Sequence, residues 1–324
     1  MDIYVKKAII HQFSPDDTDL YLADKFLNIT PKIEEYLRKK IERVYSDEAK
    51  TGIFEEDNPF LEMITDDFLE TSVAVANRWK EEFVVSENQK TNDLVFVQFS
   101  KEGVEHFAFL RIALRETLTH LGGEVDNPIK LTQNNLPGFG TGADEALVIN
   151  LQSRKYHLIE KRIKYNGTFL NYFSENLLQA QPKISPKKSI KALEKTAQKI
   201  AESFNTDDFQ FQSKVKSAIF NHIEEENKLS PEKLADDLFD DNLTARLSFI
   251  DQVKEAVPEP VTFEEIDASR QLKKFENQKL SLSNGIELIV PNNVYEDAES
   301  VEFILNENGT YSILIKNIED IQSK

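Results

Sequence analysis

Cysteine is absent from the 324 residues. That excludes disulfides, thiolate metal sites and cysteine nucleophiles, and it fits a reducing interior. No apolar run approaches 18 residues, so no membrane-spanning helix is expected. The opening Met1-Asp2-Ile3-Tyr4-Val5-Lys6-Lys7 has no basic stretch followed by an apolar one, and reads as no secretory signal. Positive charge is also scarce: 39 Lys and Arg stand against 57 Asp and Glu, a formal net of −18. Taken over the whole surface, that balance repels polyanions. Against these shortages stand 22 Phe and 40% hydrophobic residues, enough to build a core and to exclude global disorder.

The elements predicted from residue pattern divide into three regions. Residues 1–166 mix strands and helices. Tyr4–Phe13 reads as a strand, closed by a turn at Ser14-Pro15-Asp16-Asp17. Thr30-Pro31 opens a helix with Ile33, Leu37, Ile41 and Val44 on one face. Gly52 and Glu55–Pro59 break the pattern, and a second helix carries Phe68, Val75, Trp79 and Phe83. Leu94–Phe99 and Glu105–Ala113 form a hairpin through Lys101-Glu102-Gly103. Further strands are expected at Leu118–Val125, Ala146–Leu151 and Tyr156–Ile163.

Residues 167–257 read as a helical region, with helices at 168–179, 186–204, 207–227, 231–240 and 243–256. Ser185-Pro186 and Ser230-Pro231 repeat the cap-plus-proline start. Val257-Pro258-Glu259-Pro260 is a stiff connector. Residues 258–324 read as strand-rich: a short helix at Phe263–Phe275, then strands at Ile286–Val290, Ser300–Leu305 and Tyr311–Ile315, the last two joined by a turn at Asn306–Gly309. Strands segregated from a helical block give an α+β class.

Charge is unevenly spread. Residues 154–200 carry 11 basic and 3 acidic side chains within an otherwise acidic chain. At 100° per residue, Ile190, Leu193, Ala197, Ile200 and Phe204 fall on one side of a helix. Lys188, Lys191, Lys195 and Lys199 fall on the other, with Lys187 beside them. Upstream, Arg154, Lys155, Lys161, Arg162 and Lys164 interleave with Tyr156, Tyr165, Phe169, Tyr172 and Phe173. Cations with aromatics suit phosphate contact combined with base stacking. A lysine face is also what an ordinary solvated helix presents. A solvated face usually mixes signs, however, and Glu194 is the sole acid between Lys183 and Lys199.

Catalytic patterns are sparse. The five histidines are scattered, and His11 and His106 sit in apolar strand-like settings that suit hydrogen-bonded core residues. Gly138-Phe139-Gly140-Thr141-Gly142-Ala143 superficially matches a nucleotide loop. It lacks the preceding strand, the following helix and the Gly-Lys-Ser/Thr, so it reads as a connecting loop. The acidic doublets Asp16-Asp17, Asp66-Asp67, Asp207-Asp208, Asp236-Asp237 and Asp240-Asp241 sit at expected turns and helix ends, where they cap or solvate. Glu226-Asn227-Lys228 closes a helix rather than joining a nuclease centre. The expectation is a non-enzymatic protein without cofactor or metal.

Four stretches, in order along nearly the whole chain, carry a family likeness. They are Ala8-Ile9-Ile10-His11-Gln12-Phe13; Arg43-Val44-Tyr45-Ser46 leading to Gly52-Ile53-Phe54; Tyr156 with Lys161-Arg162-Ile163, Phe169 and Phe173; and Arg270-Gln271-Leu272-Lys273-Lys274-Phe275 with Gly285-Ile286-Glu287-Leu288 and Gly309-Thr310-Tyr311-Ser312-Ile313. In these the chain resembles the bacterial nucleoid-associated proteins of the NdpA/YejK-like group. The resemblance implies a cytoplasmic, nucleoid-located protein that meets DNA, nucleoid proteins or both, with no cofactor. It supplies Lys161 and Arg162 as family-matched candidates; the lysine ridge stands on spacing alone. Two readings follow: non-specific DNA contact through 154–200, or an acidic interaction protein brought to the nucleoid by a protein partner. The composition of the N-terminal half also suggests a homodimer face.

Overall fold

The computed structural model describes residues 2–16, 18–83, 90–120, 129–165, 167–204, 209–263 and 265–322. The expected strand end at 121–125, the helix start at 207–208, Asp17 and the Asp207-Asp208 doublet lie outside the described residues. Helices and a large antiparallel sheet make the fold α+β. The chain forms two compact units, residues 1–185 and 186–324.

The first unit contains β1 (Ile3–Ser14), β2 (Asp19–Tyr21), α1 (Pro31–Glu42), β3 (Lys50–Ile53), α2 (Pro59–Glu62), α3 (Phe68–Phe83), β4 (Asn92–Lys101), β5 (Val104–Ala113), β6 (Arg115–His120), β7 (Ile129–Asn135), β8 (Glu145–Asn150), β9 (Lys155–Ile159), β10 (Ile163–Tyr165) and β11 (Thr168–Leu170). Seven of these strands pair antiparallel in the order β2-β1-β4-β5-β8-β9-β3. The central strands read as unbroken apolar runs because both faces are covered. Leu94, Phe96, Phe107, Phe109, Leu147 and Ile149 pack with α3 residues Val75, Ala76, Trp79 and Phe83. Their alternating neighbours Val95, Val97, Phe99, Ala108, Leu110 and Val148 pack with Leu37 and Ile41 of α1. Period-two alternation sends successive residues to opposite faces, so one sheet serves two cores.

The expected helix starts are found where cap and proline coincide. Thr30 accepts from the Ile33 N–H at 3.4 Å ahead of Pro31, and Ser230 accepts from Lys233 at 3.4 Å ahead of Pro231. Other expectations need correction. Gly52, where the helical spacing is broken, lies in a strand that the residue pattern did not give, β3, opposite Tyr156. The strand expected over Tyr156–Ile163 ends at Ile159, and the helix expected over 168–179 is instead β11 followed by a single π turn at Phe173–Leu177. Gly167, at φ +81°, turns β10 back onto β11, and that hairpin consumes residues that helical spacing had claimed. Tyr172, Phe173, Leu177 and Leu178 are buried in the α3 core, so 167–185 pack in the first unit rather than with the helical region.

The second unit contains α4 (Pro186–Ser203), α5 (Phe209–Glu226), β12 (Lys228–Leu229), α6 (Pro231–Leu238), α7 (Leu243–Lys254), β13 (Val261–Thr262), α8 (Glu265–Phe275), β14 (Asn277–Ser281), β15 (Glu287–Pro291), α9 (Asn292–Tyr295), β16 (Val301–Leu305) and β17 (Tyr311–Ile315). Its core joins Leu193, Ala197 and Ile200 of α4 to Ile219, Leu234, Phe249 and Ala268. The short strands pair only as two-stranded ribbons. Gln278 anchors β14 to the helices, donating to the Ser213 carbonyl at 3.2 Å and to Asn292 Oδ1 at 2.8 Å.

Candidate nucleic-acid interface

The basic island is divided at the 185/186 boundary, and its two halves differ in kind. In the first unit, most of the cations are matched locally. Lys161 Nζ lies 2.7 Å from Asp144 Oδ1, and Arg154 Nη1 lies 3.1 Å from Glu56 Oε1. Arg162 sits over the exposed Phe169 ring, 5.8 Å from its centroid. Lys155 and Lys164 are exposed, and Lys155 also has an interaction partner.

The interleaved aromatics do not form a stacking surface. Tyr156, Tyr172 and Phe173 are fully buried, and of the described ring side chains in this stretch only Phe169 faces solvent. They are core because they complete the α3 face of the sheet. Trp79 Nε1 donates to the Tyr172 hydroxyl at 3.1 Å, and that hydroxyl donates in turn to Glu145 Oε2. Arg111 closes the buried network, its Nε 2.6 Å from Glu145 Oε2 and its Nη1 2.8 Å from Asn92 Oδ1. Burial is the largest influence on Arg111 and works against its charge, but Glu145, Tyr172 and Asp144 together outweigh it and raise the guanidinium pKa. Burial, reinforced by the same carboxylate, pushes the Tyr172 hydroxyl well above its ordinary range. These groups are spent on structure.

In the second unit the ridge is intact. Ser189, Ile190, Leu193, Ala197, Ile200 and Ala201 are buried, whereas Lys187, Lys188, Lys191, Lys195 and Lys199 are exposed. The four regularly spaced lysines lie within an arc of about 80° opposite the buried stripe. From Lys188 to Lys199 they run along about 17 Å of helix axis, roughly five phosphate steps of one DNA strand. Among the described residues, Lys188, Lys191 and Lys195 form no ion pair, and Lys199 Nζ donates to the neutral Gln252 Oε1 at 3.1 Å. Lys187 has an interaction partner of its own. Glu194, the acid inside this run, is half-buried. Burial raises its carboxyl pKa despite the fields of Lys216 and Lys191, which oppose the rise. Glu194, the only acid between Lys183 and Lys199 in the sequence, thus forms no ion pair with the ridge among the described residues.

The other motifs resolve as structure. His11 is fully buried; its Nδ1 accepts from the Ala23 N–H at 3.0 Å and its Nε2 lies 3.0 Å from Ser72 Oγ. Burial lowers its pKa from 6.5 to about 4, so the ring is neutral. His106 is buried against Phe99, with Nδ1 2.9 Å from the Val104 carbonyl. The glycine-rich loop turns its carbonyls, not its N–H groups, on a side chain. Gly138 O and Thr141 O accept from Lys40 Nζ at 2.9 and 2.5 Å, with Pro137 O at 3.4 Å. A phosphate cradle requires the opposite polarity. Among the described residues, no three His, Asp or Glu side chains group as metal ligands, and no helix is long and apolar enough to cross a membrane.

Comparison with known proteins adds one finding. A family model described as nucleoid-associated protein YejK matches residues 9–321. A search of curated proteins returns no match.

Proposed function

The chain belongs to the family of nucleoid-associated protein YejK, and from that premise we propose that it contacts DNA phosphates directly, without sequence preference, through the lysine ridge of α4. The observation that carries this reading is the exposed face of Lys188, Lys191, Lys195 and Lys199, none of which forms an ion pair among the described residues, within a chain of net charge −18. Repulsion from the rest of the molecule is screened beyond about 8 Å at physiological salt, so a local cluster is enough to hold a phosphate backbone. Arg154, Lys155, Lys161, Arg162, Lys164 and Lys187 add at most secondary contacts, since Arg154 and Lys161 already serve carboxylates. The role is one of binding and needs no cofactor.

Lysine acetylation mapped by mass spectrometry, with and without a duplex of arbitrary sequence, tests this. Protection of Lys188, Lys191, Lys195 and Lys199 by the duplex is expected. Equal labelling of these four while the chain is DNA-bound would contradict the ridge. The −18 charge favours a second reading, recruitment by a basic protein partner. On that reading the purified chain binds no duplex, and its nucleoid association survives nuclease treatment.

A further inference from the structure

The Lys40 ammonium is fully buried at the base of the 137–142 loop, under the ring of Tyr36, whose hydroxyl donates to the Pro137 carbonyl at 3.0 Å. Two more cations belong to the same neighbourhood. Arg43 caps the C-terminal end of α1, and its Cδ is 3.7 Å from where a Cβ on Gly142 would stand. Arg115 opens β6 opposite Asn135, two residues before Pro137. Both are exposed. The other arginine and lysine next to Lys40 on α1 are matched, Lys39 by Glu35 at 2.9 Å and Arg38 by Glu42 at 4.0 Å. Among the described residues, Arg43 and Arg115 form no ion pair. The nearest acid, Asp144, is engaged by Lys161 at 2.7 Å and by the Ala113 N–H at 2.9 Å.

The loop above them is open. A Cβ on Gly138 or Gly140 would meet nothing within 4 Å, and among the described residues no protein acceptor takes the N–H groups of Phe139, Gly140 or Gly142. Two carboxylates act on this group of cations: Asp144, which is already engaged by Lys161, and Asp93, which with Arg115 acts on Tyr36 and accepts from Gln12 at 3.0 Å. The crowding is felt at Lys40: burial first, then the fields of Arg43 and Arg115, lower its pKa to about 8, with Asp144 opposing. Two exposed arginines without ion pairs among the described residues, beside a buried ammonium bound to the loop carbonyls, are an arrangement that an anion would relieve. Guanidinium groups are suited to phosphate because their donors are planar and paired.

We propose that Arg43 and Arg115, on either side of the 137–142 loop, form a binding site for a phosphate group, supplied by a nucleic-acid backbone or by a small phosphorylated ligand. The site lies wholly within the first unit and does not rest on the α4 ridge. Its occupation is read at Lys40, because an anion beside the two arginines cancels the fields that depress the ammonium.

The test follows the Lys40 side-chain resonance through a pH titration of the full chain. It is run alone, with millimolar inorganic phosphate, and with micromolar DNA duplex. Binding moves the Lys40 midpoint upward by roughly one unit. The ligand that acts at the lower concentration identifies the source. In the R43Q/R115Q variant the midpoint is already raised without ligand and no longer responds. A midpoint that moves with neither ligand, or that moves equally in the double variant, overturns the site. Repeating the titration with Lys188, Lys191, Lys195 and Lys199 changed to Gln separates the two proposals, since loss of the ridge leaves the phosphate response at Lys40 intact.

Discussion

A Cβ built on Gly52 would lie 2.3 Å from the Tyr156 hydroxyl oxygen and 2.4 Å from its Cζ. The Tyr156 ring lies across the β3 backbone, and only glycine leaves room for it. Gly52→Ala is therefore expected to destabilise the first unit by about 1–3 kcal/mol, as overpacking does, measured by urea unfolding. Gly52→Ala combined with Tyr156→Phe should recover little of the loss, because the ring Cζ and Cε1, 2.4 and 2.8 Å from the added Cβ, remain. At Glu145 the issue is charge. Glu145→Gln leaves the buried Arg111 guanidinium without its counter-ion and is expected to cost about 3–5 kcal/mol. His11 supplies a pH dependence. Its folded pKa of about 4 lies below its ordinary 6.5, so the unfolded chain takes up the proton first. Stability is complete above pH 6.5 and falls as pH drops toward 4, by about 2 kcal/mol between pH 7.5 and 5. His106, also lowered mainly by burial, acts in the same direction. Replacing His11 by Gln should flatten this part of the profile.

Among the elements, α4 carries the functional argument, and its lysines oppose one another. Lys195 has Lys191 and Lys199 four residues away on either side, a like-charge spacing that weakens a helix by a few tenths of a kcal/mol per pair. Lys195→Gln is expected to raise thermal stability slightly while weakening DNA binding. A substitution that harmed both would point to a packing role instead. This helix was legible in the sequence because apolar and basic residues both recur at helical period. The central strands were legible because burial on two faces leaves only apolar residues. What escaped was set by partners distant in the chain. β3 was hidden by a glycine whose reason is Tyr156, and β7 by its polar Thr132-Gln133-Asn134-Asn135. The stretch 168–179 imitated a helix because its aromatics serve a hairpin and a π turn with similar spacing. The pairing of Lys161 with Asp144 and of Arg154 with Glu56 is made by the fold, so the candidate site looked larger in the sequence than it is. Arg43 and Arg115 lie 72 positions apart, and the 137–142 loop that links them as neighbours cannot be read from their spacing.

At the scale of the molecule, neither unit is basic. Residues 1–185 carry 22 basic and 30 acidic side chains, and residues 186–324 carry 17 and 27. Attraction to DNA therefore cannot come from net charge and must come from local clusters, which makes it strongly dependent on salt. Each phosphate neutralised contributes about 0.9 to the slope of log affinity against log salt. The most direct measurement is that slope for the purified chain on a duplex of arbitrary sequence. It is to be compared with a variant carrying Gln at positions 188, 191, 195 and 199. Loss of about 3.6 units of slope together with most of the affinity is expected; an unchanged slope and affinity would contradict the assignment of DNA contact to α4.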